Sequence, residues 1–158
     1  MNARPRFLCD VMLARLARFL RAAGLDTTLA DSSASDAHIL REAIDEERWL
    51  LTADRKIMEH KAAKGHVIQM PFGSLDAQAA TLNTLFAIDW LGNAFTRCLL
   101  DNTPLLPATA EHALLVPADV RRAEQAMSAC PACGRVYWRG SHYQRMRGKL
   151  ASWQTPVG

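Results

Sequence analysis

The stretch "RFLCDVMLARLARFLRAAGLDTTLA", residues 6–30, sets the architecture of the chain. Residues 6–9 are a short apolar strand that ends at Asp10. From residue 11 to residue 24, Leu13, Leu16, Leu20 and Ala23 recur at three- and four-residue spacing. That is the buried stripe of a helix, and Gly24 stops it. "TTLA", residues 27–30, reads as a second strand. A strand, a helix and a strand in this order make a βαβ unit, and its two strands run parallel.

The alternation continues. "DAHILREAIDEE" (36–47) is a helix with Ser35 as its N-cap, and "WLLT" (49–52) is a strand. "DRKIMEHKAAKG" (54–65) reads as another helix closed by Gly65, "HVIQM" (66–70) as a fourth strand, and residues 75–88 as a longer helix behind Ser74. The expected fold class is α/β: a parallel sheet flanked by helices. Composition changes after Asp89, so a boundary is placed near residue 90, dividing the chain into 1–90 and 91–158. The second part is irregular at first. It then carries a short helix over 116–127 with Pro117 near its start, a strand "RVYW" (135–138) and a basic tail helix.

With 49% hydrophobic residues in 158, the chain can bury a core and still be divided in this way. A net charge of +3 says little, but its distribution says more. No Asp or Glu follows Glu124, whereas Arg135, Arg139, Arg145, Arg147 and Lys149 all do. A one-signed segment of this kind is the footprint of a nucleic-acid contact, and its bland counterpart is a solvated basic surface. Four cysteines are too few and too uneven for a disulfide scaffold, which points to a reducing compartment. Cys9, inside an apolar run, reads as a core thiol, and His38, His60, His66 and His112 as surface or satisfied core residues. No apolar run reaches membrane-spanning length. The N-terminal arginines do not make a transit peptide, because residues 6–9 read as a strand and Asp10 interrupts the basic segment. The expectation is a cytoplasmic protein with no membrane partner.

In an open parallel sheet the ligand sits outside the carboxyl ends of the strands. Asp10 follows the first strand, Asp36 opens the helix after the second, and Asp54 lies just past the third. Each alone would read as a helix cap or dipole partner. Three together repel one another without a cation, and clustered carboxylates suit Mg²⁺ or Mn²⁺. Such a cluster serves phosphodiester hydrolysis by activating water and neutralising developing charge. Asp76 is a further carboxylate at a helix start, where dipole decoration is the simpler reading. Arg15, Arg18 and Arg21 recur every third residue beside Asp10, either as a solvated face or as a phosphate-binding rim.

"CPACGRVYWRGSH" (130–142) contains Cys130 and Cys133 in C-x-x-C spacing, half of a zinc ribbon. The matching half, "RCLLD", has Cys98 but places Asp101 where a second cysteine would stand. Either zinc is held by three thiolates with Asp101 or His142 as the fourth ligand, or the ribbon is metal-free and held by packing of Leu99, Leu105, Val136 and Trp138. In the tail, Tyr137, Trp138, Tyr143 and Trp153 alternate with basic residues. Aromatics of this kind can stack on unpaired bases, or Tyr137 and Trp138 can simply cap the ribbon core.

Taken together, "FLCDVMLARLARFLRAAGLDT", "SDAHIL", "LLTADR", "TRC" and "CPACGRVYWRGSH" resemble the Mut-seven C-terminal RNase family. The likeness spans nearly the whole chain, and the order and spacing of the pieces carry it. It implies a PIN-like nuclease domain followed by a zinc-ribbon-like module, and a metal-dependent ribonuclease with Asp10, Asp36 and Asp54 on the acidic positions. It also marks Arg21, Asp26, Tyr137, Trp138 and His142 as pattern positions. The departure is Asp101, where the family's first knuckle has its second cysteine.

The expected function is therefore metal-dependent hydrolysis of RNA. Asp10, Asp36 and Asp54 would hold Mg²⁺ or Mn²⁺, and Cys98, Asp101, Cys130 and Cys133 would hold one structural Zn²⁺ if the ribbon keeps its metal. RNA contacts are expected from Arg15, Arg18, Arg21, Arg139, His142, Tyr143, Arg145, Arg147 and Lys149. The rivals are an inert RNA- or ribosome-binding module and a toxin-like nuclease held by a protein partner.

Overall fold

The structure is a computed structural model that describes residues 4–123 and 125–155. Its centre is a four-stranded parallel sheet in the order β2-β1-β3-β4, formed by β1 (Phe7–Cys9), β2 (Thr27–Leu29), β3 (Trp49–Thr52) and β4 (Val67–Gln69). The register runs Phe7 against Thr27 on one side of β1 and against Trp49 on the other.

Side chains on these strands alternate between two cores, as a period of two requires. Phe7, Cys9 and Leu51 face one layer, with Leu16 and Leu20 of α1 (Ala14–Ala22) and Leu82 of α3 (Leu75–Leu85). Leu8 and Leu50 face the other, with Ile39 and Leu40 of α2 (Asp36–Asp45) and Ile57. Ser35 and Ser74 cap their helices through the N–H groups of His38 and Ala77. Gly24 ends the first helical segment at φ +83°, and a Cβ there would collide with the Asn93 carbonyl. Only glycine meets both demands.

The helix expected over 54–65 is instead two 3₁₀ turns, Arg55–Glu59 and Lys61–Ala63. Ile57 and Ala63 are the buried residues of those turns. They are six positions apart, so no apolar stripe holds an α-helix on the sheet there. The segment expected to be helical to residue 88 stops at Leu85, because Phe86 is extended and packs edge-on to Phe7.

Beyond residue 90 a second, antiparallel sheet has the order β5-β6-β7, made by β5 (Leu106–Pro107), β6 (Ser128–Ala129) and β7 (Val136–Tyr137). Two short helices, α4 (Ala110–Ala113) and α5 (Ala118–Arg122), lie between β5 and β6. The helix expected over 116–127 thus shrinks to α5, and Glu124 lies outside the described residues. The final helix, α6 (Ser141–Trp153), returns to the first core. Met146, Leu150 and Trp153 join Leu16, Leu82 and fully buried Trp90 there. Polar contacts fix the docking: Asn83 donates to the Trp153 carbonyl at 2.9 Å and the Trp153 indole donates to Asp76 at 2.8 Å.

Among the described residues, no helix is long and apolar enough to cross a membrane.

Candidate functional site

The strand order reverses direction between β1 and β3: the chain leaves β1 for β2 on one side and returns to β3 on the other. In open α/β sheets the crevice outside the carboxyl ends of such a pair is where ligands bind. Asp10 follows β1, and Asp54 follows β3 by two positions.

A buried hydroxyl joins them. Thr52 Oγ1 donates to Asp10 Oδ2 at 2.9 Å and accepts the Asp54 N–H at 3.0 Å. The other Asp10 oxygen accepts the Val11 N–H at 2.8 Å, and Asp54 Oδ1 caps its 3₁₀ turn through the Lys56 N–H at 2.9 Å. Thr52 is fully buried and Asp10 nearly so, while Asp54 and Asp36, at the first turn of α2, are half-buried. The carboxylate oxygens of Asp10, Asp36 and Asp54 do not gather into one set within 4.8 Å of one another. Asp76 belongs elsewhere: its carboxylate pairs with Lys149 at 2.9 Å and with the Trp153 indole, clamping α6 to α3.

A second centre lies on the antiparallel sheet. Among the described residues, Cys98, Asp101, Cys130 and Cys133 are the group whose ligand atoms lie within 4.8 Å of one another. Cys98 Sγ stands 3.7 Å from Cys133 Sγ, and both Asp101 oxygens stand 3.4 Å from Cys130 Sγ. Tetrahedral zinc, with sulfur at about 2.3 Å and oxygen at about 2.0 Å, would set S···S near 3.8 Å and S···O near 3.5 Å. The group therefore has the spacing and donor chemistry of a site for a metal such as zinc. Asp101 fills the fourth corner, whereas His142 lies apart, with Nε2 3.4 Å from Arg18 Nη2.

Local hydrogen bonds tune these four groups. Burial opposes the Cys130 thiolate, but the backbone N–H groups of Cys133 and Ala132 pull its pKa below the usual thiol range. The Thr103 N–H, donated at 3.0 Å, is the main reason that the Asp101 carboxyl stays far below the ordinary range. The Tyr137 oxygen accepts the Leu99 N–H at 3.0 Å and lies 3.2 Å from Cys98 Sγ, so its own hydrogen is left for the sulfur. Burial, then Cys98 itself, raises the Tyr137 pKa and keeps that hydrogen in place.

Arg21 corrects the reading of a phosphate-binding rim. It is buried, and its guanidinium donates to the carbonyls of Thr27, Leu99 and Leu100 at 2.8, 3.0 and 3.1 Å. It cannot meet a phosphate, and instead holds the Cys98 loop against α1 and β2. Lys149 is likewise engaged by Asp76. Arg15, Arg139, Arg145 and Arg147 are exposed, Arg18 and Tyr143 half-buried.

Asp26 is the other polar hub. It pairs with Arg48 at 2.8 Å and Arg6 at 3.3 Å, and accepts from Asn102 at 2.7 Å. Burial works against its charge, but the Asn102 and Arg48 hydrogen bonds hold its pKa down at about 2.

With this geometry in view, the comparison with known families is unambiguous: the Mut7-C RNAse domain model matches residues 5–150. The chain belongs to the Mut7-C RNAse domain family. No curated protein and no solved structure matches it. Membership in the Mut7-C family points to a ribonuclease-type nuclease with RNA as its substrate class. Sequence reasoning missed Thr52 and Asn102. Thr52 had one legible signal, a hydroxyl at the carboxyl end of an otherwise apolar strand; Asn102 had none.

Proposed function

We propose that this Mut7-C domain is a PIN-like, metal-dependent ribonuclease whose hydrolytic centre is the carboxyl edge of the parallel sheet. The observation that carries the reading is the Asp10–Thr52–Asp54 hydrogen-bonded bridge at the switch point between β1 and β3. The donors there are hard carboxylate oxygens, which fit Mg²⁺ or Mn²⁺. Such ions take only one or two carboxylates and complete their shell with water and substrate phosphate, so the three residues need not touch. Asp10, Asp36 and Asp54 would hold the ion between them, one or two directly and the rest through its water shell, and when bound it supplies an acidified water and neutralises charge on the phosphate.

The chain's own residues do the rest. Thr52 fixes the orientation of Asp10, and Asp54 is fixed by its own cap. Arg15 and Arg18, along the helix that follows Asp10, would take phosphates. Arg139, Arg145 and Arg147 would extend the cationic surface along the RNA strand, with His142 and Tyr143 as further contacts. Residues 1–90 supply the nuclease unit, and 91–158 supply a zinc-ribbon-like module whose last helix completes the first core. Zinc at Cys98, Asp101, Cys130 and Cys133 would pin the two knuckles together.

The test is to incubate the protein with mixed RNAs, with Mn²⁺ added or omitted, beside Asp54→Asn. Cleavage should need the metal and vanish in the variant, while the melting temperature holds, because Asn keeps the cap. Parental cleavage by Asp54→Asn in Mn²⁺ would sink the assignment. RNA binding by the parent without any cleavage would favour an inert binding module, and growth arrest on expression alone would favour a toxin-like nuclease.

A further inference from the structure

A cavity of about 360 Å³ opens where the antiparallel sheet meets the start of α6. Small-molecule sites begin at about 300 Å³, so it can take one small ligand or one nucleotide. It is lined by apolar Phe95, Leu99 and Met146 and by the aromatic residues Tyr137, Trp138 and Tyr143, with the Tyr143 ring packed against Phe95 at 4.3 Å between centroids. The rim is cationic. The Arg135 and Arg139 guanidiniums lie over Tyr137 and Tyr143, 5.7 and 5.8 Å from the ring centroids. His142 also lines the cavity, and its ring contacts Arg18 of α1. Among the described residues, no carboxylate lines it.

Aromatic walls ask for a flat, polarisable ligand, and an unopposed cationic rim asks for an anion. A simple anion has no use for the rings, and an apolar ligand has no use for the arginines. A nucleotide satisfies both. We infer that this cavity is a nucleotide subsite: it takes one unpaired base of single-stranded RNA among Tyr137, Trp138 and Tyr143, with the flanking phosphates on Arg139, Arg18 and His142. Arg18 lies eight positions beyond Asp10, on the order of 12 Å along the helix axis. The base held here is therefore not at the carboxylates but a short way along the strand. A paired base cannot enter without leaving its stack, so the subsite selects single strands over duplex. The inference rests on RNA being the substrate, but not on the hydrolytic role of the carboxylates.

The experiment measures binding of a labelled octamer of riboadenosine, alone and annealed to its complement, with no added divalent ion and no chelator. Competition by 5′-AMP and by inorganic phosphate is read alongside. The proteins are the parent, Trp138→Leu and Arg139→Gln. Arg139 is exposed, so its variant keeps the fold even if the Trp138 variant does not. The single strand should bind better than the duplex, AMP should compete far better than phosphate, and each cavity variant should weaken binding ~5- to 100-fold. Parental affinity in both cavity variants, equal binding of duplex, or equal competition by phosphate overturns the subsite. An octamer that fails to bind the parent sinks the RNA reading with it, which separates the two failures.

Discussion

Thr52 donates its hydroxyl hydrogen to Asp10 Oδ2 at 2.9 Å while the same oxygen accepts the Asp54 N–H at 3.0 Å. One buried hydroxyl thus holds the Asp10 carboxylate and the Asp54 backbone, each just past the end of a different strand. Groups that orient metal-binding side chains in this way are worth about 10- to 100-fold in affinity or activity. Thr52→Val keeps the shape and removes the bridge. It should cut RNA cleavage in Mn²⁺ by about that factor and cost only about 1–2 kcal/mol of stability. Cleavage rates paired with urea titrations check it, and full activity would leave Thr52 a packing residue.

The tail cations divide into two kinds. Arg145 and Arg147 are exposed and make no salt bridge among the described residues, whereas Lys149 pairs with Asp76. Replacing Arg145 and Arg147 by Gln should reduce the salt slope of single-strand RNA binding by about 1.4, two phosphate contacts' worth. Lys149→Gln should leave that slope alone and lower stability only slightly, as for other exposed ion pairs. Equal slopes for all three proteins would remove the tail from the RNA path.

Asp101 stands where a thiolate would be the softer ligand. The protein purified without added metal should carry zinc near one equivalent, yet surrender it to a chelator faster than Asp101→Cys does. The variant should also melt higher, because metal affinity and folding free energy are linked. Elemental analysis and a release time course decide this. Absence of zinc from both proteins would mean that the cluster is not a metal centre.

Asp26 predicts a pH effect. Its pKa lies at about 2 in the folded protein against an ordinary 3.8, so the native state favours the charged form. The resulting stability is present above about pH 4 and is lost as pH falls toward 2, about 2 kcal/mol in all. Asp26→Asn should be less stable at pH 6, and its unfolding midpoint should fall less steeply between pH 4 and pH 2. Parallel acid limbs for the two proteins would place the acid sensitivity elsewhere.

Local pattern made the parallel sheet legible. The leucine stripe of residues 13–20 and the serine caps at 35 and 74 announce their helices, and all four core strands fall within a residue or so of where they read. The failures share a cause. Arg21 has the spacing of a surface arginine, but the carbonyls that bury it lie 78 and 79 positions away. Lys149 reads as a free cation until Asp76 is brought to it by the docking of α6. The two-residue strands β5 and β6 carry too few side chains for any periodicity. At the Cys98–Asp101–Cys130–Cys133 cluster, the C-x-x-C half was legible, but the position of Asp101 beside Cys130 depends on how the loop after residue 98 is pinned, and Arg21, Tyr137 and the Thr27 N–H that Asn102 accepts do that from distant segments.

The docking of α6 also orders events in time. Until Leu150 and Trp153 have left the ribosome, Leu16, Leu82 and Trp90 lack the surface that covers them. The parallel sheet is encoded first but sealed last. A nascent chain would then carry every proposed catalytic side chain long before it has a rigid core to aim them.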